Sequence, residues 1–230
     1  MFYFRLNKVR LVENREGSIL FGLLKRDRAE IQFLSLVTTG GEDFPDLAEL
    51  LATEDLARRR QITADIVRRV AAFRKLHTVE NVRDGHIFPF GDTGYNVFQA
   101  PSIPDHFNWL LLAVEIDEDV RDLGAAVEQE MARPDFDDFV LSFLQLVSAA
   151  ANPTLAAAVA AMRYLGAVWA RQLQGDTNDQ AGLLYMSLNR WEHYPHGKRD
   201  RQDVPDLTGN MFVDYTIFAV ESRPDDQAPV

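Results

Sequence analysis

Apolar and polar side chains alternate from the first residues of the chain, and that period of two predicts a strand. Phe2, Phe4 and Leu6 fall on one side, and Tyr3, Arg5 and Asn7 on the other. At Lys8 the apolar phase shifts to Val9 and Leu11, which predicts a bulge within one strand rather than a new element. Gly17 and Gly22 bracket Ser18-Ile19-Leu20-Phe21, read as a small strand or a loop packed on the core. Glu30 to Thr39, rich in Ile31, Phe33, Leu34, Leu36 and Val37, predicts the next strand and stops at Gly40-Gly41, where glycine lets the chain turn.

The period then becomes helical. Pro45 and Asp46 open a short turn, and Thr53-Glu54-Asp55 supplies an N-cap with acidic first-turn residues. Ile62, Ile66, Val70 and Phe73 form a narrow apolar stripe, while Arg58, Arg59, Arg60, Arg68, Arg69, Arg74 and Lys75 cover the rest. This basic helix serves either as a solvated face paired with nearby carboxylates or as a docking surface for an acidic partner or lipid headgroups. Strand character returns at His86 to Phe90 and at Tyr95 to Ala100, on either side of the turn signal Gly91-Asp92-Thr93-Gly94. Phe107 to Ile116 contains Trp109-Leu110-Leu111-Leu112-Ala113-Val114, apolar on both faces. It predicts a strand buried on both sides at the centre of a sheet.

Helical signals are clearest in the second half. Asp119 to Ala132 predicts one helix, and Pro134-Asp135 precedes another with Phe136, Val140, Phe143, Val147 and Ala150 on one seam. Asn152-Pro153 supplies an N-cap with proline at the first helical position. Leu155, Val159, Met162, Gly166, Trp169 and Leu173 repeat the seam, and Gly175 closes it. Two matched seams on a short link predict an antiparallel helical hairpin. Gly182 to Trp191 and Asn210 to Val220 are the last strands, separated by a polar loop from Glu192 to Gly209. Residues 223–230, with Pro224, Asp225, Asp226 and Pro229, have the composition of a disordered tail. The expected fold is α+β: an antiparallel β-sandwich forming a single domain over 1–222, with helical insertions at about 45–76 and 119–174. The strands at the two ends of the sequence are expected to share a sheet.

Composition narrows the function. Among 230 residues, 35 are acidic and 24 basic, a formal net charge of −11, so nucleic acid is not an expected partner. The absence of cysteine excludes disulfides, thiolate metal sites and a cysteine nucleophile. Without a basic segment followed by an apolar run at Met1 to Leu6, and without an apolar stretch of about 18 residues, the expectation is a cytoplasmic protein with no transmembrane helix.

Three segments carry candidate chemistry. Asp92-Thr93-Gly94 matches the aspartic-protease tripeptide, which needs two such aspartates about 3 Å apart. This chain has one such tripeptide; a homodimer could supply the second, and a hairpin turn accounts for the same letters. His193 and His196, with Asp200, Asp203 and Asp206 nearby, suit a transition metal in residue type. Pro195 between the histidines prevents a regular helix from setting their geometry, and hydrogen bonding within an ordered loop is the competing use. His193, His196 and Arg199 are also candidates for a binding loop. The sequence contains no Gly-x-Ser-x-Gly elbow, phosphate-cradling glycine loop or dinucleotide fingerprint.

Val114 to Asp122, a strand running into Asp117, Asp119 and Asp122, resembles the calcium-binding loop of C-two-type phospholipid-binding sandwiches. In that family, loop carboxylates and a basic or apolar rim bind calcium and membrane together. The resemblance implies calcium at Asp117, Asp119 and Asp122, with Asp200, Asp203 and Asp206 as further acidic loop candidates. The segment after the first strand, Glu13 to Gly22, carries no aspartate, and an acidic first helical turn explains Asp119 and Asp122 equally well. The expected function is a non-catalytic binding module recognising a protein or membrane surface through rim loops, assisted by calcium. The alternatives are a hydrolase using zinc or a related metal at His193 and His196, and a membrane-inserting effector. The last would use the alanine-rich stretch Leu155 to Trp169, which is short for a bilayer.

Overall fold

The computed structural model describes residues 1–13, 29–41, 44–71, 74–115, 123–174 and 180–221. Strand β1 (Phe2–Leu11) pairs with β9 (Met211–Ala219), Phe2 opposite Ala219 and Leu11 opposite Met211. The two ends of the sequence therefore share a sheet, as expected. The register slips between Leu6 and Lys8, which is the bulge that the phase shift predicts. Phe2, Phe4 and Leu6 are buried before it, and Val9 and Leu11 after it.

Two antiparallel sheets and a helical layer give the α+β class. The first sheet runs β4 (Ile87–Pro89), β1, β9, β8 (Gly197–Pro205), and β5 (Tyr95–Ala100) also pairs with β1. The second runs β3 (Arg74–Val82), β2 (Ala29–Thr38), β6 (His106–Glu115), β7 (Gln180–Asn189). The helices are α1 (Leu47–Ala52), α2 (Leu56–Val70), α3 (Leu123–Ala132), α4 (Phe136–Ala149) and α5 (Pro153–Gln174).

β6 has neighbours on both edges, β2 and β7, and is buried from Phe107 to Glu115. Its alternate residues serve two cores. Phe107, Trp109 and Leu111 join an aromatic cluster with β1, in which Phe4 lies 4.6 Å from Phe107 and 4.8 Å from Trp109. The Trp109 indole donates to Ser35 Oγ at 2.7 Å, so its buried N–H is satisfied. Leu110, Leu112 and Val114 face the helices, with Leu34 and Leu36 of β2. Gly182 on β7 pairs with Ala113, and a Cβ there would lie 2.6 Å from Met211 Cβ, so the absence of a side chain lets β7 approach β9.

The α4 seam stands as read, with Phe136, Val140, Phe143 and Val147 buried. Asn152 caps α5, its Oδ1 accepting from Leu155 N at 3.0 Å. α5 departs from a single seam. Over 153–171 only Arg163, Ala167 and Arg171 are exposed, because the second sheet lies on one side and α2, α3 and α4 pack on the others. An apolar stripe broad enough to be covered all round marks a core helix. No helix among the described residues is long and apolar enough to cross a membrane.

Three other expectations change. The basic helix ends at Val70, with the Ala71 N–H on Val67 O at 2.8 Å, and Arg74 and Lys75 begin β3 instead. β3 went unread because Lys75-Leu76-His77-Thr78-Val79-Glu80-Asn81 is mixed in polarity on an edge strand. β4 and β5 do not form a hairpin. Both pair with β1, β4 at Lys8 to Arg10 and β5 at Phe2 to Leu6, so the Gly91–Gly94 turn joins two segments that follow one another along the same edge. Half of the expected loop from Glu192 to Gly209 is the edge strand β8, exposed except at Gly197 and Val204. Gly17 to Gly22, Asp119 to Asp122, Gly175 and the tail 223–230 lie outside the described residues.

Candidate functional site

On a pleated strand the side chains between buried ones must point outward. Tyr3 and Arg5 of β1 lie opposite Phe218 and Thr216 of β9, which lie opposite Lys198 and Asp200 of β8. The pairing places Tyr3, Phe218 and Lys198 in one row across the sheet, and Arg5, Thr216 and Asp200 in the next. An open cleft of about 310 Å³ results, lined by Tyr3, Arg5, Lys198, Thr216 and Phe218. The Tyr3 and Phe218 rings are 6.4 Å apart, and Phe218 is 41% exposed.

Arg5 is aimed by two contacts. Its guanidinium lies 5.6 Å from the Tyr3 ring and donates to the Thr93 carbonyl at 3.3 Å. Thr93 belongs to the Asp92-Thr93-Gly94 turn, where Gly94 has φ +72° and packs so closely that a Cβ would lie 2.5 Å from Asn7 Oδ1. The tripeptide is a turn that presents a carbonyl to Arg5. Among the described residues, Arg5 has no carboxylate partner.

Lys198 and Thr216 are tied to one acid. Thr216 Oγ1 accepts from Asn7 Nδ2 at 2.8 Å and donates to Asp200 Oδ1 at 2.6 Å, while Lys198 Nζ lies 2.9 Å from Asp200 Oδ2. The Thr216 hydrogen bond, followed by Lys198, holds the Asp200 carboxyl below its ordinary value of 3.8. Farther along the face, Lys8 pairs with Asp214 at 2.8 Å, and Arg10 lies 4.2 Å from the Phe212 ring.

Among the described residues, those singled out from the sequence form no cluster of three that could share a metal. His193 Nδ1 accepts from Asn189 N at 3.1 Å in the turn after β7, and His196 is exposed just before β8. Arg199 lies on β8 opposite Ile217, donating to the Lys198 carbonyl at 3.1 Å. Asp203 occupies a left-handed position at φ 50°, its N–H on Asp214 Oδ1 at 2.8 Å and its carboxylate 3.6 Å from Arg10. Asp206 is buried and accepts five hydrogen bonds: Leu183 N and Thr208 Oγ1 on Oδ2, and Thr208 N, Asn210 N and Met211 N on Oδ1. With about four lone-pair sites on a carboxylate, it has none left for a cation.

Asp200 and Asp206 are also separated by six residues of largely extended chain, on the order of 20 Å. No group of three or more His, Asp or Glu side chains among the described residues is placed to share a metal. Asp200, Asp203, Asp206 and His193 each serve a separate hydrogen bond or ion pair of the loop and its neighbours. Asp117, Asp119 and Asp122, which carry the C-two-type resemblance, lie outside the described residues.

The basic helix pairs with neighbouring acids. Arg58 bonds both oxygens of Glu49 at 2.6 Å, and Arg68 bonds Glu128 at 2.8 and 2.9 Å. Arg60 pairs with Asp137 and donates to the Met131 and Arg133 carbonyls at 2.6 and 2.8 Å. The cleft residues were missed by sequence reading, although Tyr3 and Phe218 leave a trace there. Both are large aromatics at outward positions of strands whose inward positions are already apolar. No protein-family model, curated protein or solved structure matches the chain.

Proposed function

We propose that the chain is a non-catalytic binding module that takes a protein partner on the outer face of its first sheet. In this reading the two sheets face each other as one antiparallel β-sandwich in a single domain, which the Phe4 contacts to Phe107 and Trp109 support. α4 and α5 form the antiparallel hairpin, supported by the stacking of Phe139 on Tyr164 at 4.2 Å. The single observation carrying the function is the open cleft between β1, β9 and β8, where two aromatic rings and two cations stand together. Aromatic and arginine side chains dominate the energetics of protein recognition. The lining has no histidine or cysteine, its one aliphatic hydroxyl is bonded to Asp200, and Lys198 is ion-paired.

Affinity capture tests the proposal with three proteins: the wild type, an Arg5→Glu/Lys198→Glu variant and an Arg58→Glu variant on the helical side. A partner is expected to be lost with the cleft variant and kept with the helix variant. Equal retention by all three would refute a cleft-centred module. Calcium assistance is proposed at Asp117, Asp119 and Asp122 alone, and titration calorimetry with calcium checks it, absence of heat removing that part.

A further inference from the structure

We infer that the cleft takes a carboxylate-bearing peptide segment with a large apolar neighbour, and that Asp200 competes with that carboxylate for the same donors. The inference rests on the sheet face being a binding surface and adds the chemistry of what it binds. The lining contains Arg5 and Lys198 and no acid. A guanidinium has five N–H donors, and one of Arg5's is engaged by the Thr93 carbonyl. The others have no protein acceptor among the described residues. Arginine with free donors is suited to a carboxylate in fork geometry. The Tyr3 and Phe218 rings beside it supply a flat apolar surface.

Size and charge favour a peptide over other anions. A volume of about 310 Å³ accommodates one or two side chains. The net charge of −11 opposes every anion at long range, and opposes a short peptide with few charges less than an extended anionic membrane.

Asp200 gives the site an internal control. Lys198 and Thr216 both line the cleft, and both are bonded to the Asp200 carboxylate. An incoming carboxylate must draw the same ammonium and hydroxyl away from it. Asp200→Asn keeps the shape and an acceptor for Thr216 but removes the charge that holds Lys198. For an acidic ligand the substitution therefore tightens binding, and for a cationic ligand it weakens binding.

The experiment is fluorescence anisotropy at low ionic strength with a fluorescein-labelled peptide of alternating glutamate and phenylalanine. Versions with glutamine or lysine in place of glutamate serve as controls. The acidic peptide is expected to bind best. Arg5→Gln and Lys198→Gln each weaken it about three- to fivefold, and Asp200→Asn tightens it about threefold. Circular dichroism melting checks each variant. Should Arg5→Gln unfold, the two β8 variants still decide the question.

Equal binding of the glutamine and glutamate peptides overturns the inference, as does a weaker Asp200→Asn variant. Binding only to phosphatidylserine-containing vesicles, with none to the peptide, overturns it as well. If the acidic peptide fails while partner capture still depends on Arg5 and Lys198, the ligand class is wrong and the binding face stands. If capture ignores the cleft while the peptide follows the expected pattern, the protein-partner reading fails instead.

Discussion

Arginines on the two sides of the molecule are used in opposite ways. On α2, Arg58, Arg60 and Arg68 reach carboxylates or carbonyls of α1, α3 and α4, so the charge that looks like a docking stripe in the sequence ties helices together. On the outer sheet, Arg5 holds one turn carbonyl beside two partly open rings. The carboxylates show the same contrast. Asp206 is buried under five donors, whereas Asp200 sits on an exposed edge strand with a hydroxyl and an ammonium. Density of charge along the chain is therefore a poor guide to a binding surface; whether neighbours satisfy each charge is a better one.

The largest expected effect is that of Asp206→Ala. Its five donors lose their acceptor, three of them buried backbone groups, at a cost of about 3 kcal/mol or more. Urea unfolding is expected to show the loss, together with a thermal midpoint lowered by roughly 6–12 °C. Asp200→Asn is expected to stay within about 0.5 kcal/mol of wild type, as surface substitutions usually do. Similar losses at the two sites would break the distinction between a structural and an available carboxylate.

Next is Arg60→Ala, which frees Asp137 and two carbonyls at the end of α3 and removes the guanidinium 5.1 Å from the Phe136 ring. Because the side chain is partly exposed, the expected loss is about 1–2 kcal/mol, measured by urea unfolding. A smaller effect comes from acid. The Arg68 hydrogen bond holds the Glu128 carboxyl below its ordinary 4.5. A group depressed in the folded state contributes fully above its unfolded value and loses that contribution as pH falls through the folded value. Stability should thus fall below about pH 4.5, and Glu128→Gln should flatten that part of a urea-midpoint-versus-pH curve.

Arg5→Gln and Phe218→Ala are expected to have stability effects as small as that of Asp200→Asn, each within about 0.5 kcal/mol of wild type. A severe loss from either in circular dichroism melting would show that the cleft holds the sheet together, and would remove the contrast with α2.

Much of the fold is legible from local pattern. The shift at Lys8 marks the bulge, the run from Trp109 to Val114 marks a strand with a core on each face, and Asn152-Pro153 marks the start of α5. Elements without a one-sided environment escape that reading. Among the described residues β8 pairs only with β9, and it is exposed on both faces, so its lysine, arginines and aspartates show no alternation. α5 is enclosed by the second sheet and three helices, so its alanines carry no narrow seam. β4 and β5 look like a hairpin because the turn between them is tight, but both bond to β1.

The site was only brushed by sequence reading. Arg199 and Asp200 were singled out, while Lys198 beside them lines the cleft. Its other members come from β1 and β9, more than 200 residues apart in the chain. Hydrophobic alternation by itself determines that Phe2, Phe4 and Leu6 go inward and that Tyr3 and Arg5 go outward, because the side-chain period of a strand is a local property. Which outward residues meet across the sheet, and which charges go unanswered, is decided by the register between distant strands, and only the tertiary structure sets that register.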